Sequence, residues 1–171
     1  MSSSKRSPWS LSLLVLTAAV LATGCAASRR EAYVLDKASA HVYRKPIAEV
    51  WPQVRSMLKE KELPLRESPS GHEIATDWAQ LGSPSSLGTT YVRYLVRGKQ
   101  PTPALCAVEI FRQNRTESGP GPMDPQSGQR RELGNDATNM TRDREMEWEL
   151  MQRVDPEGSK ALQEEAKQAV K

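Results

Sequence analysis

Three stretches between His72 and Arg112 alternate apolar and polar residues one by one, and a period of two constrains the backbone to β-strand. In the first, His72 to Trp78, residues His72, Ile74, Thr76 and Trp78 share one face while Glu73, Ala75 and Asp77 share the other. In the second, Thr90 to Arg97, Val92, Tyr94 and Val96 point one way and Arg93 and Arg97 the other. In the third, Ala104 to Arg112, Cys106, Val108 and Ile110 fall together. One apolar and one polar side per strand predicts an antiparallel sheet with one face in water.

Such a sheet needs a partner for its apolar face. Ile47, Val50, Trp51, Val54, Met57 and Leu58 recur at spacings of three and four, which predicts an amphipathic helix. Lys45-Pro46 ends a preceding strand, His41 to Arg44, because the residue before proline is pushed out of the α region. Pro52 removes a donor inside the helix, so a kink or a looser first turn is expected there. Leu63 to Glu67 reads as a short edge strand, Ser68 to Gly71 as a turn, and Leu81 to Gly88 as a loop.

Residues 114–140 differ in kind. Gly119-Pro120-Gly121-Pro122 and Pro125 interrupt them and bulky apolar groups are almost absent, a composition that predicts a flexible loop. A helix is expected from Thr141 to Arg153, with Met146, Leu150 and Val154 on one stripe widened by Trp148 and Met151. Asp155-Pro156 interrupts it and caps a weaker C-terminal helix within 156–171. The predicted order is β-α-β-β-β-β-α. It implies an α+β domain at 39–155, with four to five antiparallel strands packed on a helix, ahead of that C-terminal helix.

The N-terminus has its own pattern. Lys5 and Arg6 precede an apolar run, Leu11 to Ala22, that as a helix spans about 18 Å against a hydrocarbon core of about 30 Å. That length suits a secretion signal over residues 1–24 rather than a membrane span. The following Leu21-Ala22-Thr23-Gly24-Cys25 resembles the lipobox of bacterial lipoproteins, with Ala22 where a branched apolar residue is usual. The resemblance implies cleavage between Gly24 and Cys25 and a diacylglyceryl (palmitate-type) anchor on the Cys25 thiol. Ala26 in place of aspartate implies the outer membrane, with the protein facing the periplasm. Residues 25–38 then read as the lipidated N-terminus and a short polar tether.

Without residues 1–24 the chain keeps 22 basic and 21 acidic side chains, so it offers no electrostatic case for binding nucleic acid. Only Cys106 remains beside an acylated Cys25, which excludes an intramolecular disulfide. His41 and His72, the sole histidines, have no Cys, Asp or Glu at metal-ligand spacing, and no metal or cofactor is expected. Cys106, between apolar neighbours, reads as a buried inert thiol. Trp51, Trp78 and Trp148 are the candidate interaction residues: Trp51 and Trp148 as walls of a groove between two helices, Trp78 beside Asp77 as a binding pair. For each tryptophan, burial in the core or at its rim is the competing expectation. No residue set for catalysis stands out, and a non-enzymatic protein is expected.

The elements VYRKPIAEVWPQVRSML, ELPLRES and the Ile74–Trp78 run after Gly71 are similar to the helix-grip domains of BamC, an accessory lipoprotein of the β-barrel assembly machinery. The resemblance covers about residues 40 to 113. It implies a helix-grip-like fold and, as partners, the membrane and β-barrel assembly components. BamC has two such domains and a long docking arm, for which this chain has no counterpart, so no binding residue carries over. The function expected is that of an envelope assembly accessory or protein-interaction module. The alternative is a carrier for a small apolar ligand or lipid, in a cavity between sheet and helix.

Overall fold

The long amphipathic helix forms where its spacing predicts, and it organises the interior. In the computed structural model, which describes residues 26–69, 71–85, 88–117, 120–123, 130–132 and 137–170, this helix is α2, Ile47–Glu60. Its buried residues are the six of the predicted stripe, and the helix continues through Pro52 rather than ending there. Pro46 stands at its N-cap with extended backbone, one place ahead of the first helical turn.

The strands are β1 (Leu65–Glu67), β2 (Glu73–Thr76), β3 (Ala79–Ser85), β4 (Gly88–Thr102), β5 (Leu105–Glu117), β6 (Pro120–Met123), β7 (Arg130–Glu132) and β8 (Ala137–Arg142). Helices α3 (Arg144–Val154) and α4 (Pro156–Ala169) follow, and a helix over residues 26–39, α1, precedes them all. Six strands make one antiparallel sheet in the order β1-β2-β4-β5-β8, with β3 also on β4; β6 and β7 form a separate ribbon. The fold is α+β, with the sheet packed on helices.

Its axis is the β4–β5 hairpin, paired from Thr89↔Glu117 to Thr102↔Leu105. Two strands share one edge of β4: β2 opposes Leu95–Arg97 and β3 opposes Val92 to Gly88. Between them the chain breaks at Asp77-Trp78, and the hydroxyl of Thr76, itself buried, accepts the Tyr94 N–H at the gap (2.9 Å). A ladder donor that would otherwise be orphaned is thereby satisfied. The break also turns Trp78 to the opposite face from Ile74 and Thr76, contrary to strict alternation through residue 78.

A similar repair occurs on β5. Strand β8 ends at Arg142, opposite Phe111, so the next N–H, that of Ile110, has no strand partner; Glu147 of α3 accepts it at 2.9 Å. The same oxygen, Oε1, accepts from Arg142 Nε at 2.8 Å. Glu147 is 2% exposed, and burial pushes its carboxyl up against the opposing pull of these two donors.

The interior divides into two cores. The main one lies between α2, α3 and the sheet, and includes Val54, Met57, Leu58, Ile74, Val96, Cys106, Ile110 and Leu150. Gly98 of β4 belongs to it by absence: a Cβ there would lie 2.6 Å from Ile47 Cδ1 and 3.0 Å from the Trp51 ring. The helix start rests directly on the strand backbone. The second core joins three helices through Val34 and Ala38 of α1, Met151 of α3, and Leu162 and Ala166 of α4, with Tyr33 and Trp148 packed against it.

Several expectations are corrected. His41–Arg44 forms no strand but a single bridge, Tyr43 to Cys106, because the turn into Pro46 leaves room for one pair. The region read as a loop, 81–88, is mostly strand β3 and the start of β4; Gly82, at φ 72°, supplies the irregularity its turn-like composition implied. Residues 114–140, read as a flexible loop, contain the end of β5, the β6–β7 ribbon and the first residues of β8, joined by backbone pairing, while 118–119, 124–129 and 133–136 lie outside the described residues. The tether, 26–38, is helical, since Val34 and Ala38 one turn apart bury against α3 and α4. The C-terminal helix, expected to be the weaker one, is capped by Asp155 as its sequence implies, the side chain accepting from Gly158 N, and buries Ser159, Leu162 and Ala166. No helix among the described residues is long and apolar enough to cross a membrane.

Candidate functional site

Helices cover one side of the sheet. On the other side, Tyr91 pairs with Arg115, Arg93 with Gln113 and Leu95 with Phe111, and each of these six is half-buried rather than enclosed. Trp78 comes to rest among them. Two guanidinium groups lie over its ring, Arg93 at 4.7 Å and Arg115 at 5.0 Å, and Arg115 also stands 5.6 Å from the Tyr91 ring. Each such contact contributes about 0.5–1 kcal/mol at an exposed site, so together they fix an otherwise mobile side chain.

The two arginines are held from behind as well. Arg93 donates to Gln113 Oε1 at 2.6 Å, and Arg115 is paired with Glu117. Arg115 Nε is buried without a hydrogen-bond partner. Asp77, taken from sequence as the partner of Trp78, instead pairs with Arg66 at 2.6 Å. What results is a rigid, aromatic and cationic patch that can stack on flat groups and bond acceptors.

Trp51 and Trp148 do not line a common groove. Trp51 is in the main core, 4% exposed, edge-on to His72 with ring centroids 5.7 Å apart. Trp148 belongs to the second core and walls a groove of about 450 Å³ between α1, α3 and α4, whose apolar lining includes Ala27, Val34, Leu35 and Ala166. Gly24 and Cys25 lie outside the described residues.

His41 stacks edge-on against Tyr43 and approaches Asp155 at 3.5 Å, away from the company of His72. Burial holds its pKa below the ordinary histidine value, opposed by the Asp155 charge. Cys106 is fully buried, and desolvation pushes its thiol up, away from the reactive thiolate. Among the described residues, no group of three or more His, Cys, Asp or Glu side chains is arranged to hold a metal ion.

Sequence reasoning placed Arg93 on the open face but missed Arg115 and Tyr91. Arg115 lay in the segment read as loop, although continuing the alternation of Glu109, Phe111 and Gln113 by one step would have put it there. It also missed Leu35 and Glu147, one inside the supposed tether and the other a carboxylate on a helix face that polarity alone assigns to solvent. In comparison with known proteins, no family model matches the chain and no curated protein matches it in sequence.

Proposed function

We propose that this chain is a non-enzymatic, lipid-anchored protein of the bacterial envelope that faces the periplasm and serves as a protein-interaction module in outer-membrane assembly. The observation that carries the interaction reading is the pair of guanidiniums, Arg93 and Arg115, over the Trp78 ring, on the side of the sheet that none of the described helices covers. Rigid aromatic and arginine side chains lose little entropy on association and are the residue types that dominate binding interfaces. The anchoring reading rests on Leu21 to Cys25, and the assembly setting on the likeness of residues 40 to 113 to a BamC grip domain.

Co-purification after detergent extraction tests it. Barrel-assembly components should accompany the wild type and be lost with Trp78→Ala, whose ring is outside the main core. Their absence from the wild-type eluate sinks the assembly role. Cys25→Ala should leave the membrane fraction; retention there sinks the anchor.

A carrier of an apolar ligand is the second reading, and the groove beside Trp148 favours it. Its volume is within the range of about 300–1,000 Å³ usual for small-molecule sites. The space between sheet and α2 offers no such room, since Val50, Val54, Met57 and Leu58 are wholly buried there.

A further inference from the structure

The groove runs along the start of α1. Ala27, exposed at its mouth, is two residues from Cys25, and two residues of chain span at most about 7 Å. From Ala27 to Leu35 the groove follows α1 for about 12 Å. Its floor is apolar: Val34 and Ala166 are buried, and Trp148 and Leu35 form the walls. Its rim carries Arg30 and Lys167 against Glu31 and Glu145, equal numbers of each sign. Arg30 is further engaged with the Val170 carbonyl, and Lys167 with Glu164. A charge-balanced rim suits a neutral lipid better than a phosphate-bearing one.

We infer that the groove shelters one acyl chain of the lipid on Cys25 whenever the protein is outside a bilayer. The inference rests on the lipid-anchor reading. A diacylglyceryl thioether is apolar, carries no phosphate, and is tethered at the mouth. In a bilayer the chain gains nothing by entering a protein groove, because both surroundings are apolar. In water the groove removes it from contact with solvent. The site therefore fills when the anchor is withdrawn from the membrane.

The test uses the full-length protein made in cells fed a fatty acid with a photoactivatable diazirine. It is purified in detergent and irradiated either in phosphatidylcholine vesicles or after detergent removal. The expected result is intrachain crosslinks from the Cys25 lipid to peptides containing Leu35 or Trp148 in water, with crosslinks to phospholipid in vesicles. Leu35→Glu, at a half-buried position, should lose those crosslinks and aggregate without detergent while keeping its circular dichroism and its vesicle binding. A labelled Cys25 whose chain never reaches the groove overturns the inference and leaves the anchor standing. Groove peptides carrying a free phospholipid mass instead also overturn it. An unlabelled Cys25 overturns the anchor and the inference together.

Discussion

The two cores are built on different plans. The main core is a sheet against helices, and its side chains come from segments far apart in sequence: α2, β2, β4, β5 and α3. Nine of its large side chains are less than 2% exposed. The second core is a three-helix cluster with smaller residues, two of them alanine, and both Val34 and Leu162 are 8% exposed. Helix α3 belongs to both, giving Met146, Leu150 and Val154 to one and Met151 to the other. The lesson is one of division: the sheet core sets the fold, while the helical cluster positions α1 and can loosen without unfolding the rest.

That division is open to attack at its strongest point first. Leu150→Ala should cost about 2–5 kcal/mol and lower the midpoint of the whole unfolding transition, as read by urea denaturation. Its counterpart Leu162→Ala should cost less and speed hydrogen exchange in α1 and α4 while leaving β4 and β5 protected. Equal loss of protection everywhere would mean a single cooperative core.

Gly98→Ala should follow at about 1–3 kcal/mol, since the new methyl drives into Ile47 and the Trp51 ring. A near-neutral result would show that the start of α2 can shift away from β4.

Glu147→Ala should cost about 1–3 kcal/mol by stranding the Ile110 N–H, and Glu147→Gln less, because the amide oxygen still accepts it. The pH dependence has a definite sign. Because burial raises the native carboxyl pKa above its unfolded value, the cost of the buried charge is present above the native pKa and is relieved as pH falls through it. The wild type should therefore gain on Glu147→Gln as the medium is acidified through that range, in parallel urea titrations. His41 acts the other way. Its native pKa is depressed, so the stability tied to its neutral form is kept above about pH 6.5 and declines below it.

The smallest effect is expected at Glu62, which follows α2 with φ 56°. Glu62→Gly should raise the thermal midpoint by the equivalent of about 0.5 kcal/mol, because glycine adopts this conformation without a Cβ clash.

The same division decides what could be read in advance. The sheet core was legible, since periods of two and of three to four residues mark its strands and α2 directly. The second core was not. Val34 and Ala38 share their stretch with Ala32, Tyr33 and Leu35, so no single stripe stands out, and the stripe of Leu162 and Ala166 is weak. Strand pairing in 114–140 was hidden for a related reason. Backbone pairing holds Asn114↔Asn139 and Thr116↔Ala137 whatever the side chains contribute, so composition carried no signal. Trp78 was found as a residue but placed on the wrong face, because a two-residue break between β2 and β3 leaves alternation on either side undisturbed.

For the anchored protein proposed above, the helical character of residues 26–39 changes the geometry of encounter. Fourteen packed residues extend about 21 Å as a rigid strut, with Arg142 bonded to the Ser39 carbonyl at its far end. A string would let the domain tumble and show Trp78 in every direction. A strut gives the domain a heading, so that a partner diffusing in the same membrane meets the Trp78 face at a preset angle.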